Sequence, residues 1–78
     1  MKPLEIKGAR TRLGYKQRHM AEKLGMTLCT YNRKENGKSE FTDAEKVKVA
    51  ELLGFTLEQM NDFLFDGLLP IGSNQRTM

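Results

Sequence analysis

Residues 17–36 read QRHMAEKLGMTLCTYNRKEN, and this stretch decides the fold. Met20, Ala21 and Leu24 recur at the spacing of one helix face, which predicts a helix from Gln17 to Leu24. Gly25-Met26-Thr27 then breaks the pattern. Glycine takes the positive φ of a helix stop without steric penalty, and Thr27 is a natural N-cap whose hydroxyl accepts from an amide of the next turn. A second helix, Leu28 to about Glu35, turns Tyr31 toward the core and stops at Asn36-Gly37, two residues that tolerate positive φ. Helices joined by so short a turn cross closely, so Ala21 must be small, and Met20, Leu24, Met26 and Tyr31 fill the angle between them.

Upstream, Ile6, Ala9, Arg10 and Leu13 share one face of a helix running from about Leu4 or Ile6 to Leu13, with Gly8 weakening its start and Gly14 as its stop. Downstream, Thr42-Asp43-Ala44-Glu45 has the form of a capping box and opens a helix from about Asp43 to Leu53. Val49, Ala50 and Leu53 form its apolar stripe, leaving Lys46, Lys48 and Glu51 for solvent, and Gly54 stops it. Thr56-Leu57-Glu58-Gln59 repeats the capping pattern and opens a short last helix with Leu57, Met60 and Phe63 or Leu64 inward. Asp66-Gly67 and Pro70 end helical order. The expectation is an all-α domain of five helices over residues 1–66, then an extension over 67–78 that ends in a disordered tail from residue 73.

Length and composition agree with one small domain: 78 residues, 38% hydrophobic and 29% charged, suit a single compact core and leave little room for a deep substrate cleft. The single cysteine, Cys29, excludes an intrachain disulfide, and with the single histidine, His19, it is too little for a four-ligand zinc site. His19 and Glu22 have a spacing that two-metal helical bundles use, but such bundles need further carboxylates from other helices, so the pair reads as solvated. There is no Gly-rich phosphate loop and no Ser or Cys in the setting of an activated nucleophile. Neither enzyme activity, nor a cofactor, nor a metal, nor a small-molecule substrate is expected. Without a run of ~20 apolar residues, and with Met1-Lys2-Pro3-Leu4-Glu5 unlike a secretion signal, the chain is expected in the cytoplasm.

The net charge of +3 conceals an asymmetry. Residues 1–39 carry ten Lys/Arg against three Asp/Glu, a net of +7, whereas residues 40–78 carry three against seven, a net of −4. A basic half on so small a body implies a polyanion as partner, nucleic acid first among them. Lys and Arg that merely solvate helix surfaces are the competing reading, and the spacing of residues 17–36 weighs against it.

That segment resembles a helix-turn-helix, and with the capped helices after it the chain is similar to the phage Cro/CI repressor family, the lambda-repressor-like, XRE-type DNA-binding domains. The resemblance covers about residues 4–65 and rests on Gln17 opening the second helix, on Ala21 and Gly25 ahead of Cys29, and on Glu35-Asn36-Gly37 closing the third. It implies a cytoplasmic, nucleoid-associated regulator of transcription that binds double-stranded DNA, with Thr27, Leu28, Cys29, Asn32 and Arg33 on the face turned to the major groove. Arg33 is the expected reader of guanine O6 and N7, and Asn32 of adenine or a phosphate, with Leu28 and Cys29 beside them. Gln17, Thr27, Asn36, Lys38 and Ser39 are the expected phosphate contacts, with Lys16, Arg18 and Lys34 adding attraction through counterion release. Arg10 and Glu35 match positions where the first helix pairs with the end of the third.

Two features depart from the family pattern. Lys34 stands where a large apolar residue is usual, so either its stem snorkels over the core, which is the expected arrangement, or the third helix is slightly rotated. Leu28 and Cys29 replace polar readers and offer a base nothing beyond contact with a thymine methyl. Leu28 then reads as an apolar contact to a neighbouring helix or to that methyl, or else as part of a protein interface. Cys29 lacks the setting of a redox sensor. Two functions follow: an operator-binding regulator acting as a dimer, or an antirepressor on the same fold that pairs with a partner repressor. Phe63, Phe65, Leu68, Leu69 and Ile71 are the expected self-association surface, since five short helices do not cover them all.

Overall fold

Pro3 has no N–H to lose and a φ already suited to a helix, and it opens α1 (Pro3–Arg12) slightly ahead of the expected start. The computed structural model describes residues 1–68, which contain α1, α2 (Gln17–Leu24), α3 (Leu28–Glu35), α4 (Asp43–Leu53) and α5 (Leu57–Leu64), with no strand among them. Gly25 and Gly54 close α2 and α4 at φ 70° and 72°, a conformation that costs any residue with a Cβ. Both capping boxes are closed. The Thr42 hydroxyl accepts from the Glu45 amide at 3.1 Å while Glu45 accepts from the Thr42 amide at 2.9 Å, and Thr56 and Gln59 repeat the arrangement at the same distances. Each threonine cap stabilises its helix by ~1 kcal/mol.

Helix α2 packs on α3 and α4, and α1 lies against α3, α4 and α5. Their shared core is Ile6, Ala9, Met20, Ala21, Tyr31, Phe41, Val49, Ala50, Leu53 and Leu64. Two positions differ from the sequence reading, and a third, Phe41, adds a core residue that the reading did not include. Leu13 follows the last helical residue and is half exposed, so the stripe of α1 ends at Arg10. Leu57, expected inward, is 61% exposed on the first turn of α5, and Leu64 closes that side of the core. Phe41, between α3 and α4, is buried with its ring 6.1 Å from that of Tyr31.

The C-terminal aromatic residues are partly used by the domain itself. Phe63 packs edge-on against Phe55 at 5.2 Å, and Phe65 lies under the Lys46 ammonium at 4.9 Å, so Lys46 is not simply solvated as expected. Leu68 is 82% exposed. Leu69, Ile71 and the expected disordered tail lie outside the described residues.

Candidate nucleic-acid interface

Helix α3 has two faces with opposite chemistry. Tyr31 and Glu35, four residues apart, point inward and are buried, while Asn32, Arg33 and Asn36 are exposed. A carboxylate tolerates burial only when its lone pairs are filled. Glu35 fills them from three elements. Oε2 accepts from Arg10 Nε at 2.7 Å and from the Tyr31 hydroxyl at 2.6 Å, and Oε1 accepts from Arg10 Nη2 at 3.2 Å and from Gln17 Nε2 at 2.9 Å. Arg10 also donates to the Tyr15 carbonyl at 2.9 Å. One carboxylate thereby ties α1, the start of α2 and α3 together and holds α3 at a fixed angle to the body.

Burial pushes the Glu35 carboxyl up, but the hydrogen bonds from Arg10, Tyr31 and Gln17, with the Arg10 charge, outweigh it and hold the group below its ordinary 4.5. Burial first, then the hydrogen bond and charge of Glu35, raise Tyr31 far above its ordinary 10.0. The signs give a pH window. A depressed carboxylate contributes stability above its unfolded value that disappears as pH falls, and a raised phenol contributes stability below its unfolded value that disappears as pH rises. Thermal melting should therefore be highest and flat between about pH 5 and 10 for these two groups and fall on both sides. A Tyr31→Phe variant that keeps the full alkaline loss would contradict the assignment.

On the outer face, the Gln17 carbonyl oxygen accepts from Asn32 Nδ2 at 3.1 Å, and Asn32 Oδ1 accepts from Asn36 Nδ2 at 3.3 Å. The Arg33 side chain is exposed, with no partner among the described residues. Leu28, 42% exposed, and the exposed Cys29 sit side by side on the first turn of α3. Arg10, Lys16, Gln17, Arg18 and Leu28 line a shallow hollow at the start of α2, where the helix N-terminus adds partial positive charge. Lys16 and Arg18 are exposed there, and Lys38 is exposed beyond the end of α3. Ser39 is half-buried beside Lys38, and the amides of both are spent on the Arg33 carbonyl, at 3.3 and 2.9 Å. The Thr27 hydroxyl is likewise occupied, accepting from the Thr30 amide at 3.1 Å and donating to Thr30 Oγ1 at 2.9 Å.

Lys34 resolves the departure at its position by reaching out of the core. Its ammonium meets Glu45 Oε1 at 2.7 Å, 6.0 Å above the Phe41 ring. The same Glu45 oxygen caps α4, so α3 is latched to the N-terminus of the next helix. Glu45 feels burial upward, outweighed by the hydrogen bonds from Lys34 and Thr42 and the Lys34 charge, and ends below 4.5. Sequence reading missed this partner, which lies eleven positions from Lys34 and meets it only through the packing of α3 against the start of α4. His19 packs against Tyr15 with the two rings tilted and their centroids 4.6 Å apart, and among the described residues no group of His, Cys, Asp or Glu could hold a metal ion. No described helix is long and apolar enough to cross a membrane.

The arrangement is a polar helix face with a free guanidinium and flanking cations, held rigidly from behind. Such a face can enter the major groove and meet phosphates on either side. A family model described as helix-turn-helix matches residues 6–60, a span that runs from within α1 into α5. No curated protein and no solved structure matches the chain. With that match over well more than half its length, and five helices in the lambda-repressor-like arrangement, the chain belongs to the Cro/CI-type helix-turn-helix family of DNA-binding transcription regulators.

Proposed function

We infer that this domain is a phage- or prophage-type regulator that binds a partly palindromic operator as a dimer, with α3 in the major groove. The observation that carries the reading is the unpartnered Arg33 on the exposed face of α3, a helix fixed from behind by Arg10 and Glu35. Its guanidinium is free to donate two parallel hydrogen bonds to guanine O6 and N7. Lys16, Arg18, Asn36 and Lys38 are assigned to phosphates, which set register without carrying sequence information. Gln17 adds its backbone N–H at the start of α2 to the same rim, its side-chain amide being engaged by Glu35 and Asn32, and Thr27 and Ser39 contribute through their remaining polar atoms. Self-association is assigned to the C-terminal apolar residues around exposed Leu68. The direct test is a mobility shift on the DNA flanking its own gene, alone and with the product of any adjacent divergent regulator. A shift by the protein alone, competed poorly by unrelated duplex, is expected.

Exposed Leu28 beside Cys29 favours one second reading, an antirepressor whose α3 meets a partner repressor. Replacing both by Gln separates the two. A DNA reader keeps or gains affinity, since amides serve base edges. An interface centred on two apolar side chains loses partner binding, because each buried, unmatched amide costs ~1–3 kcal/mol. Loss of operator binding with partner pairing intact contradicts both.

A further inference from the structure

The resemblance assigns Gln17 to a phosphate, but its amide is already engaged on both ends. Nε2 donates to the buried Glu35 carboxylate, and Oε1 accepts from Asn32, which in turn accepts from Asn36. An ionised carboxylate is an acceptor only, so Gln17 must present its NH₂ inward and its carbonyl outward. A carbonyl accepts only, so Asn32 must present NH₂ to Gln17 and leave its own carbonyl toward Asn36. The direction of each amide is thus dictated in sequence from the buried charge, although Asn32 and Asn36 are themselves exposed. An exposed amide without such a partner turns freely and offers a base either its oxygen or its nitrogen.

We propose that Gln17 is a positioning residue for sequence recognition: it transmits the polarity of the buried Glu35 carboxylate to the Asn32 amide and so sets which end of Asn32 a base edge meets. This rests on the operator-binding reading above and assigns Gln17 a part in specificity that phosphate contact alone does not have. Arg33 stands outside the relay and keeps its own preference.

The test is selection of bound duplexes from a randomised double-stranded DNA library by the full chain, followed by sequencing, for wild type, Gln17→Met, Asn32→Ala and the double variant. Circular dichroism melting of each protein verifies that it is folded at the selection temperature. Gln17→Met should lose about fivefold or more of the base discrimination at one position of the selected site, the same position that Asn32→Ala flattens. The double variant should match Asn32→Ala alone at that position, because the two act through one contact. The preference owed to Arg33 should persist in all three. Gln17→Met that weakens binding to every sequence alike while leaving the wild-type base profile overturns the proposal and makes Gln17 a phosphate contact only. Asn32→Ala with an unchanged profile overturns it too. Both results leave operator binding standing. A wild-type protein that enriches no sequence removes the operator-binding reading and this inference with it.

Discussion

Glu35→Ala is expected to lower the unfolding free energy by ~3–5 kcal/mol, a large part of the ~5–15 kcal/mol that a domain of this kind possesses. The loss has three sources. Arg10, 8% exposed, keeps its charge but loses its partner, and burying an unmatched guanidinium is the dominant cost. The Tyr31 hydroxyl, fully buried, is left without the carboxylate it donates to, and the Gln17 amide without its inner anchor. The measurement is a urea unfolding curve followed by far-UV circular dichroism. Glu35→Gln should fall between wild type and Glu35→Ala, since the amide oxygen still accepts from Arg10 while the charge is gone. Converting both partners to apolar residues, Arg10→Met with Glu35→Leu, should cost less than Glu35→Ala, because no charge is then stranded. A Glu35→Ala protein that melts within a degree or two of wild type would show the pair to contribute nothing.

What was legible in the sequence is what local chemistry decides. The starts at Thr42 and Thr56 and the stops at Gly25 and Gly54 involve residues within one turn of each other, so spacing alone reveals them. The turn of residues 25–27 is local in the same way, and it fixes the relation of α2 to α3. The Arg10 and Glu35 contact spans 25 positions and was legible only because a family resemblance singled out both residues. Phe41 has no periodic neighbours, and its burial follows from the path of the chain between α3 and α4. Leu57 misled because it shares the helical phase of Leu64, whereas inward position also depends on what lies opposite, and the first turn of α5 runs past its cover. The Lys34 to Glu45 latch and the Gln17 to Asn32 relay were hidden for a common reason. Each joins polar residues that look individually suited to solvent or to DNA, and only the packing of the helices brings them together.

That packing also sets the salt dependence, the second large effect. Lys16, Arg18, Arg33 and Lys38 are exposed and have no ion-pair partner among the described residues, whereas Lys34 is spent on Glu45 and Arg10 on Glu35. Counting all basic residues of the first half would overstate the footprint, because cations neutralised within the protein release no counterions from DNA. With about four effective charges per protomer and two protomers on an operator, the log-log slope of affinity against salt should lie near −7, or roughly a 10⁴-fold loss between 50 and 200 mM. Fluorescence anisotropy of a labelled operator duplex across that range measures it. Lys16→Ala and Lys38→Ala should each reduce the slope by about two units in the dimer, and Lys34→Ala, whose charge never reaches the backbone, should leave it unchanged. A wild-type slope shallower than about −2 would mean that the basic face does not lie along the phosphates, and α3 would then have to meet a protein instead.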